Sequence, residues 1–303
     1  MLKLKLIVLF FISLLVMPLG YAMELAPLRW SHLPVGVNFA GVAYAYTEAD
    51  VLIDPVVRLE NVEMELQTLV GKYIRTFELF DKSARIDIKT AYQKGTWTGL
   101  LNGTPAIAHR EGLNDAKLRL AINLYGAPPL EGKEFAFYRA NADIETIVGV
   151  ALVASLPTGE YMDDKLINLG ENRFSFSPQF GVTHKRGKWT MELTGQVALY
   201  TENDDFYNGK TIDQEPLYFV HGHLIHTFKP GVWTGLSLGY DYGGESTIDG
   251  IDNDDRRQNI GWALRFTYPI DRYALSVAYI GTRTQEEFGL NTNTLTTSLA
   301  FHW

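Results

Sequence analysis

No cysteine occurs among the 303 residues. Disulfide staples, thiolate nucleophiles and cysteine metal sites are therefore excluded, and stability has to come from burial and backbone pairing. Long apolar runs are also missing beyond the first two dozen residues: stretches such as 146–156 reach about half of the roughly twenty residues that a membrane helix needs. Surplus positive charge is absent as well. The formal net charge is −8, which argues against nucleic acid as a partner, because phosphate backbones are bound by basic surfaces. The acidity is localised. Glu202, Asp204, Asp205, Asp213 and Glu215 share one segment, and Glu245, Asp249, Asp252, Asp254 and Asp255 share another. The stretches between such segments are nearly neutral.

Those neutral stretches alternate. In the last ten residues Leu295, Thr297, Leu299, Phe301 and Trp303 fall on one face of an extended chain, and Thr294, Thr296, Ser298, Ala300 and His302 on the other. One oily and one wet face per strand suits a barrel with lipid outside and a polar interior. The other end of the chain opens with Lys3 and Lys5, continues apolar from Leu6 to Val16 and reaches Gly20-Tyr21-Ala22, the pattern of a secretory signal cleaved after Ala22. The chain thus divides into a signal peptide (1–22), a short periplasmic N-terminal segment (23–34) and an outer-membrane β-barrel (35–303).

Period-two alternation bounded by turn residues predicts about twelve strands, near 35–47, 64–80, 83–94, 113–126, 142–156, 172–186, 188–201, 215–229, 231–244, 257–269, 272–285 and 292–303. The fold class is all-β, a transmembrane antiparallel up-and-down barrel. Tight turns at Asp81-Lys82, Arg186-Gly187-Lys188, Lys229-Pro230-Gly231 and Pro269-Ile270-Asp271 alternate with long acidic or glycine-bearing loops, the asymmetry between periplasmic turns and external loops. The connection 127–140 breaks this rule. It should be periplasmic, yet it is long and holds Pro128 and Pro129, so a short helix or plug is expected there. Trp189, Phe228, Trp233, Tyr268, Tyr273 and Trp303 flank the turns, where amphipathic rings favour a membrane interface. Pro178 removes a ladder donor inside a strand, which predicts a bulge or a late strand start.

Residues opposite the oily ones should line the interior. The third strand then presents Arg85, Asp87 and Lys89, and the fourth Lys117, Arg119 and Asn123, bringing four cations and one carboxylate together. Glu145, Glu192, Gln196 and Arg265 line other strands. Such charge could bias a pore toward anionic or polarised solutes, or pair internally and merely stabilise a filled lumen. His221 and His223 share the same inner face and His226 the opposite one. Two imidazoles do not make a metal site, and polar packing is the expectation. Ser175, Ser177 and Ser237 are inward hydroxyls, but no GxSxG is present and no base is tied to them by spacing. The run from Asp249 to Asp255 lacks the glycine and glutamate positions of a calcium loop. Neither enzyme activity, cofactor nor metal is expected.

Several fragments, in their order and spacing, resemble one family. They are Gly71-Lys72-Tyr73-Ile74-Arg75-Thr76-Phe77, Gly112-Leu113-Asn114-Asp115 with Asn123-Leu124-Tyr125-Gly126-Ala127-Pro128, Leu156-Pro157-Thr158-Gly159-Glu160-Tyr161, and Asn168-Leu169-Gly170-Glu171-Asn172-Arg173-Phe174. Together they are similar to the outer-membrane β-barrel family labelled putative meta-pathway of phenol degradation, from about residue 36 onward. The resemblance implies a transporter-like barrel taking up phenolic or other hydrophobic compounds, with no catalytic residues to carry over. Its Pro-Thr-Gly and Asn-Arg patterns flank the loop 157–173, which makes Pro157, Gly159 and Arg173 candidates for a gate.

The expected function is a channel or transporter in the bacterial outer membrane for passive uptake of small, aromatic or hydrophobic solutes. The alternative is a structural or surface-interaction barrel whose acidic external loops act without transport. The expected partners are the lipid bilayer and lipopolysaccharide, the barrel-assembly machinery and a small-molecule solute.

Overall fold

A computed structural model describes residues 23–52, 59–101, 104–165, 167–287 and 289–303. The signal peptide expected over 1–22 lies outside the described residues. Seventeen strands follow in chain order: β1 (Asn38–Leu52), β2 (Leu59–Leu79), β3 (Lys82–Leu101), β4 (Thr104–Leu113), β5 (Ala116–Tyr125), β6 (Ile144–Leu156), β7 (Ser175–Arg186), β8 (Trp189–Tyr200), β9 (Asn203–Phe206), β10 (Lys210–Gln214), β11 (Leu217–Lys229), β12 (Val232–Gly243), β13 (Ser246–Ile248), β14 (Ile251–Asp252), β15 (Arg257–Ile270), β16 (Tyr273–Thr284) and β17 (Gly289–His302). Among the described residues one helix, α1 (Gly132–Asn141), joins β5 to β6.

Twelve of these strands close on themselves. The ring runs β1, β2, β3, β5, β6, β7, β8, β11, β12, β15, β16, β17 and back to β1, every neighbour antiparallel. At the seam Asn38 and Trp303 exchange backbone hydrogen bonds of 3.0 and 3.1 Å. All twelve expected strands are present. β4 pairs only with the distal half of β3 and extends the wall at the long-loop end. A separate four-stranded sheet of β9, β10, β13 and β14 stands above the same end around Phe206, Ile212 and Ile248; the alternation did not announce it.

Exposure follows the alternation inside out. Leu193 is 57% exposed beside Thr194 at 0%, and Leu264 is 58% exposed beside Ala263 at 1%. Leucines turned outward around a ring of polar interior residues need an apolar solvent, so the outer belt faces lipid. Trp189, Phe228, Tyr268, Tyr273 and Trp303, all exposed, gather at the short-turn end. The first tight turn is made by Phe80 and Asp81, both with positive φ (53° and 57°). Pro178 causes no bulge. β7 begins at Ser175, and its ladder to β8 passes from Phe176↔Leu199 to Gln179↔Gln196 without a shift of register. Pro178 and Ser177 drop out of the ladder to β8 only; the proline keeps its register with Leu152 of β6 and is exposed on the outer surface.

The segment 23–34, expected as a periplasmic lead-in, lies instead inside the barrel. Met23, Leu25, Trp30 and His32 are buried. Interior glycines make the room: a Cβ on Gly149 would stand 2.5 Å from the Trp30 ring, and one on Gly261 2.8 Å from the Met23 sulfur. Gly181 and Gly239 are pressed in the same way by Trp30 and Met23. Apolar side chains here are more favourably buried in these notches than left in water.

Candidate functional site

The lumen is the candidate site, and the N-terminal strap is its largest occupant. The strap is fastened at several heights. Glu192 on β8 accepts from the backbone amides of Arg29 (3.1 Å) and Trp30 (3.4 Å) and from the Thr183 hydroxyl. The Trp30 indole donates to Thr194 Oγ1 at 2.8 Å. The Arg119 guanidinium lies over the same indole, 4.8 Å from its centroid. Nearer the short-turn end, Thr76 donates to the Pro34 carbonyl and receives the Val37 amide.

β3 and β5 supply the charges. Their register sets Asp87 opposite Arg119 and Lys89 opposite Lys117. Asp87 is the hub: Arg85 Nε lies 3.3 Å from it, and Lys72 Nζ and Arg119 Nη1 each 3.6 Å. One carboxylate therefore answers three cations. Glu24 of the strap reaches Lys89 at 3.0 Å and Arg29 at 3.8 Å. Arg85 Nε and Arg119 Nη1 meet Asp87 as ion pairs outside hydrogen-bond geometry, which leaves Asp87 Oδ1 without a hydrogen-bond donor too, while Arg119 Nη2 and Nε of the inward-facing Arg265 on β15 are buried with no hydrogen-bond acceptor among the described residues. Donors outnumber acceptors on this wall.

Two of the expected lining carboxylates have other duties. Glu192 holds the strap, and Glu145 sits at the short-turn end between Arg139 of α1 and His32, whose Nδ1 lies 3.2 Å away. The other ring nitrogen of His32 faces the Pro128 carbonyl at 2.7 Å, and Phe135 and Tyr138 pack edge-on against the ring. His221, His223 and Ser237 form a buried chain, 2.9 Å between the two imidazoles and 2.7 Å from His223 to the hydroxyl. These nitrogens are engaged with one another. Among the described residues no group of three His, Asp or Glu side chains could hold a metal.

The loop 157–173 is pinned rather than loose. Asp115, in the turn between β4 and β5, accepts from the Gly159 amide at 2.8 Å and the Glu171 amide at 2.9 Å. Gly159 lies so close to Gly170 that a Cβ would stand 2.8 Å from its Cα. Pro157 opens this turn. Arg173 is buried between Glu171, Gln214 and the face of Tyr200, tying the loop to the base of the small sheet. Sequence reasoning quoted Asp115 without giving it a role, and it missed Trp30, Glu24, Arg29 and His32. Their signal lay in the strands, where glycine recurs at inward positions that a closed barrel would fill with side chains.

A closed ring of twelve strands with a lipid-facing belt and a charged, strapped lumen defines a transmembrane β-barrel of the bacterial outer-membrane type. The chain belongs to the family described as "Putative MetA-pathway of phenol degradation", which matches residues 61–294. It is similar in fold to the COG4313 outer membrane channel from Pseudomonas putida F1, with 20% identity and a TM-score of 0.75, over 92% of this chain and 100% of that one. A weaker likeness joins it to the transport unit of the autotransporter AIDA-I from Escherichia coli, with 9% identity and a TM-score of 0.51, over 93% and 94% of the two chains. No curated protein matches it in sequence.

Proposed function

We propose that this barrel is a passive channel for small solutes, favouring those that carry a negative or polarised oxygen, with phenolic compounds a natural class. The observation that carries the reading is the wall of Lys72, Arg85 and Arg119 around the single Asp87, three cations to one carboxylate, with Arg119 Nη2 left without an acceptor among the described residues. A site with spare buried donors attracts an anion or a phenolic oxygen and rejects cations. The fold shared with a channel and the family's description agree with it. Twelve strands lie between barrels filled by side chains and those that leave an open water channel, so passage runs beside the strap and is narrow. Purified protein in planar bilayers under a salt gradient should give a reversal potential of anionic sign. Lys89→Glu with Lys117→Glu should move it toward the cationic side. Absence of conductance and of phenol flux into vesicles would overturn the proposal.

A second reading rests on the acidic four-stranded sheet at the long-loop end, a surface for contacts outside the cell. It requires that deleting 203–214 abolish such contacts while leaving permeability as it was.

A further inference from the structure

α1 sits at the short-turn end, the periplasmic side of a barrel of this type, and its two faces differ. Phe135, Tyr138 and Arg139 turn inward to His32 and Glu145. Phe137 points the other way and is 75% exposed. Between this outer face and the barrel wall runs an open groove of about 670 Å³, lined by Leu130, Lys133, Glu134, Phe137, Asn141 and Ile144 among others. Its far wall is already membrane surface. Ile144 begins β6 on the outward parity, 63% exposed, with the buried Glu145 facing in next to it. The groove is thus continuous with the lipid-facing belt.

We propose that this groove is a seat for one glycerophospholipid of the inner leaflet, its acyl chain against Phe137, Leu130 and Ile144. The headgroup is chosen by charge. Lys133 stands on the helix side of the groove, and Arg186 is the register partner of Ile144 on the strand side, followed by Lys188 across the turn. At this rim Lys133, Arg186 and Lys188 stand against Glu134 and Asp143, three cations to two carboxylates, which favours an anionic headgroup. An aromatic ring on a short helix beside a basic rim is the composition of an interfacial element. The site is independent of whether the lumen conducts.

The test uses the full chain in vesicles of phosphatidylethanolamine and phosphatidylglycerol. Because the protein has no cysteine, Asn141→Cys carries a nitroxide at one position only, as does Asp204→Cys at the opposite end. The expected result is a label at 141 that oxygen reaches and a water-soluble nickel chelate does not, with the reverse at 204. Equal chelate access at both positions, as a groove left in water or reserved for a soluble protein would show, overturns the proposal. Phospholipid retained through detergent release, read by native mass spectrometry, should be phosphatidylglycerol-enriched and fall about tenfold in Phe137→Glu/Ile144→Glu. Folding of that variant is checked by its heat-modifiable gel mobility. Unchanged retention in a folded variant would also overturn the proposal.

Discussion

Trp30 is held by three different interactions at once, a hydrogen bond to Thr194, a guanidinium over its face and glycine notches at Gly149 and Gly181. Trp30→Ala removes all three and should cost about 3 kcal/mol on the scale of large-to-small core changes, while single-channel conductance rises because the lumen loses its widest obstruction. An unchanged conductance would mean that the permeation path avoids the strap. At the other end, burial pushes the Asp255 carboxyl above its ordinary range, against the Ser246 amide and hydroxyl that pull it down. The folded cap then holds that proton to a higher pH than the unfolded chain does. Its contribution is complete below the ordinary carboxylate range and declines as pH rises through the raised value. Asp255→Asn should flatten the pH dependence of proteolysis in the loop 244–256, and an identical profile in the variant would remove Asp255 as its source.

Elements differ in how plainly the sequence marks them. Strands such as β8 and β15 are marked by leucines on one parity and threonines, alanines or glycines on the other, a pattern that only a two-sided wall requires. α1 is marked by what interrupts that pattern, Pro128 and Pro129 followed by residues without period two. β9, β10, β13 and β14 are not marked. They are short, and Phe206, Ile212 and Ile248 meet only in three dimensions. The strap is equally silent, since Met23, Leu25 and Trp30 carry no period and read as lead-in. The turn at Phe80 and Asp81 spends two left-handed residues without a glycine. Asp81→Gly should therefore raise stability by about 1 kcal/mol in a urea titration; a loss would mean that the aspartate side chain contributes more than its backbone conformation costs. In the loop 157–173, Asp115→Asn removes one of two acceptors for the Gly159 and Glu171 amides. A local cost of about 1–3 kcal/mol should show as faster cleavage within 160–170, and equal cleavage rates would mean that Arg173 alone holds the loop.

At the scale of the whole molecule the inside and outside of the wall are legible, and what fills the inside is not. Alternation states which residues face in, including Arg85, Asp87 and Arg119, because the pleat fixes it. It does not state that Glu192 and Glu145 are spent on the strap and the helix, since their strap partners Arg29 and His32 lie 163 and 113 positions away in a segment with no pattern. Charge balance in the lumen is a joint property of strap and wall: Glu24 comes from one, Lys89 from the other.

The glycine notches have a consequence for how the strap could be handled. A cylinder carved to the outline of one particular strip of chain retains that outline when the strip is cut away, much as a mould keeps the shape of its casting. A barrel lacking 23–34 should then act as a receptor for a synthetic dodecapeptide of the missing sequence, complementing in trans what the gene supplies in cis.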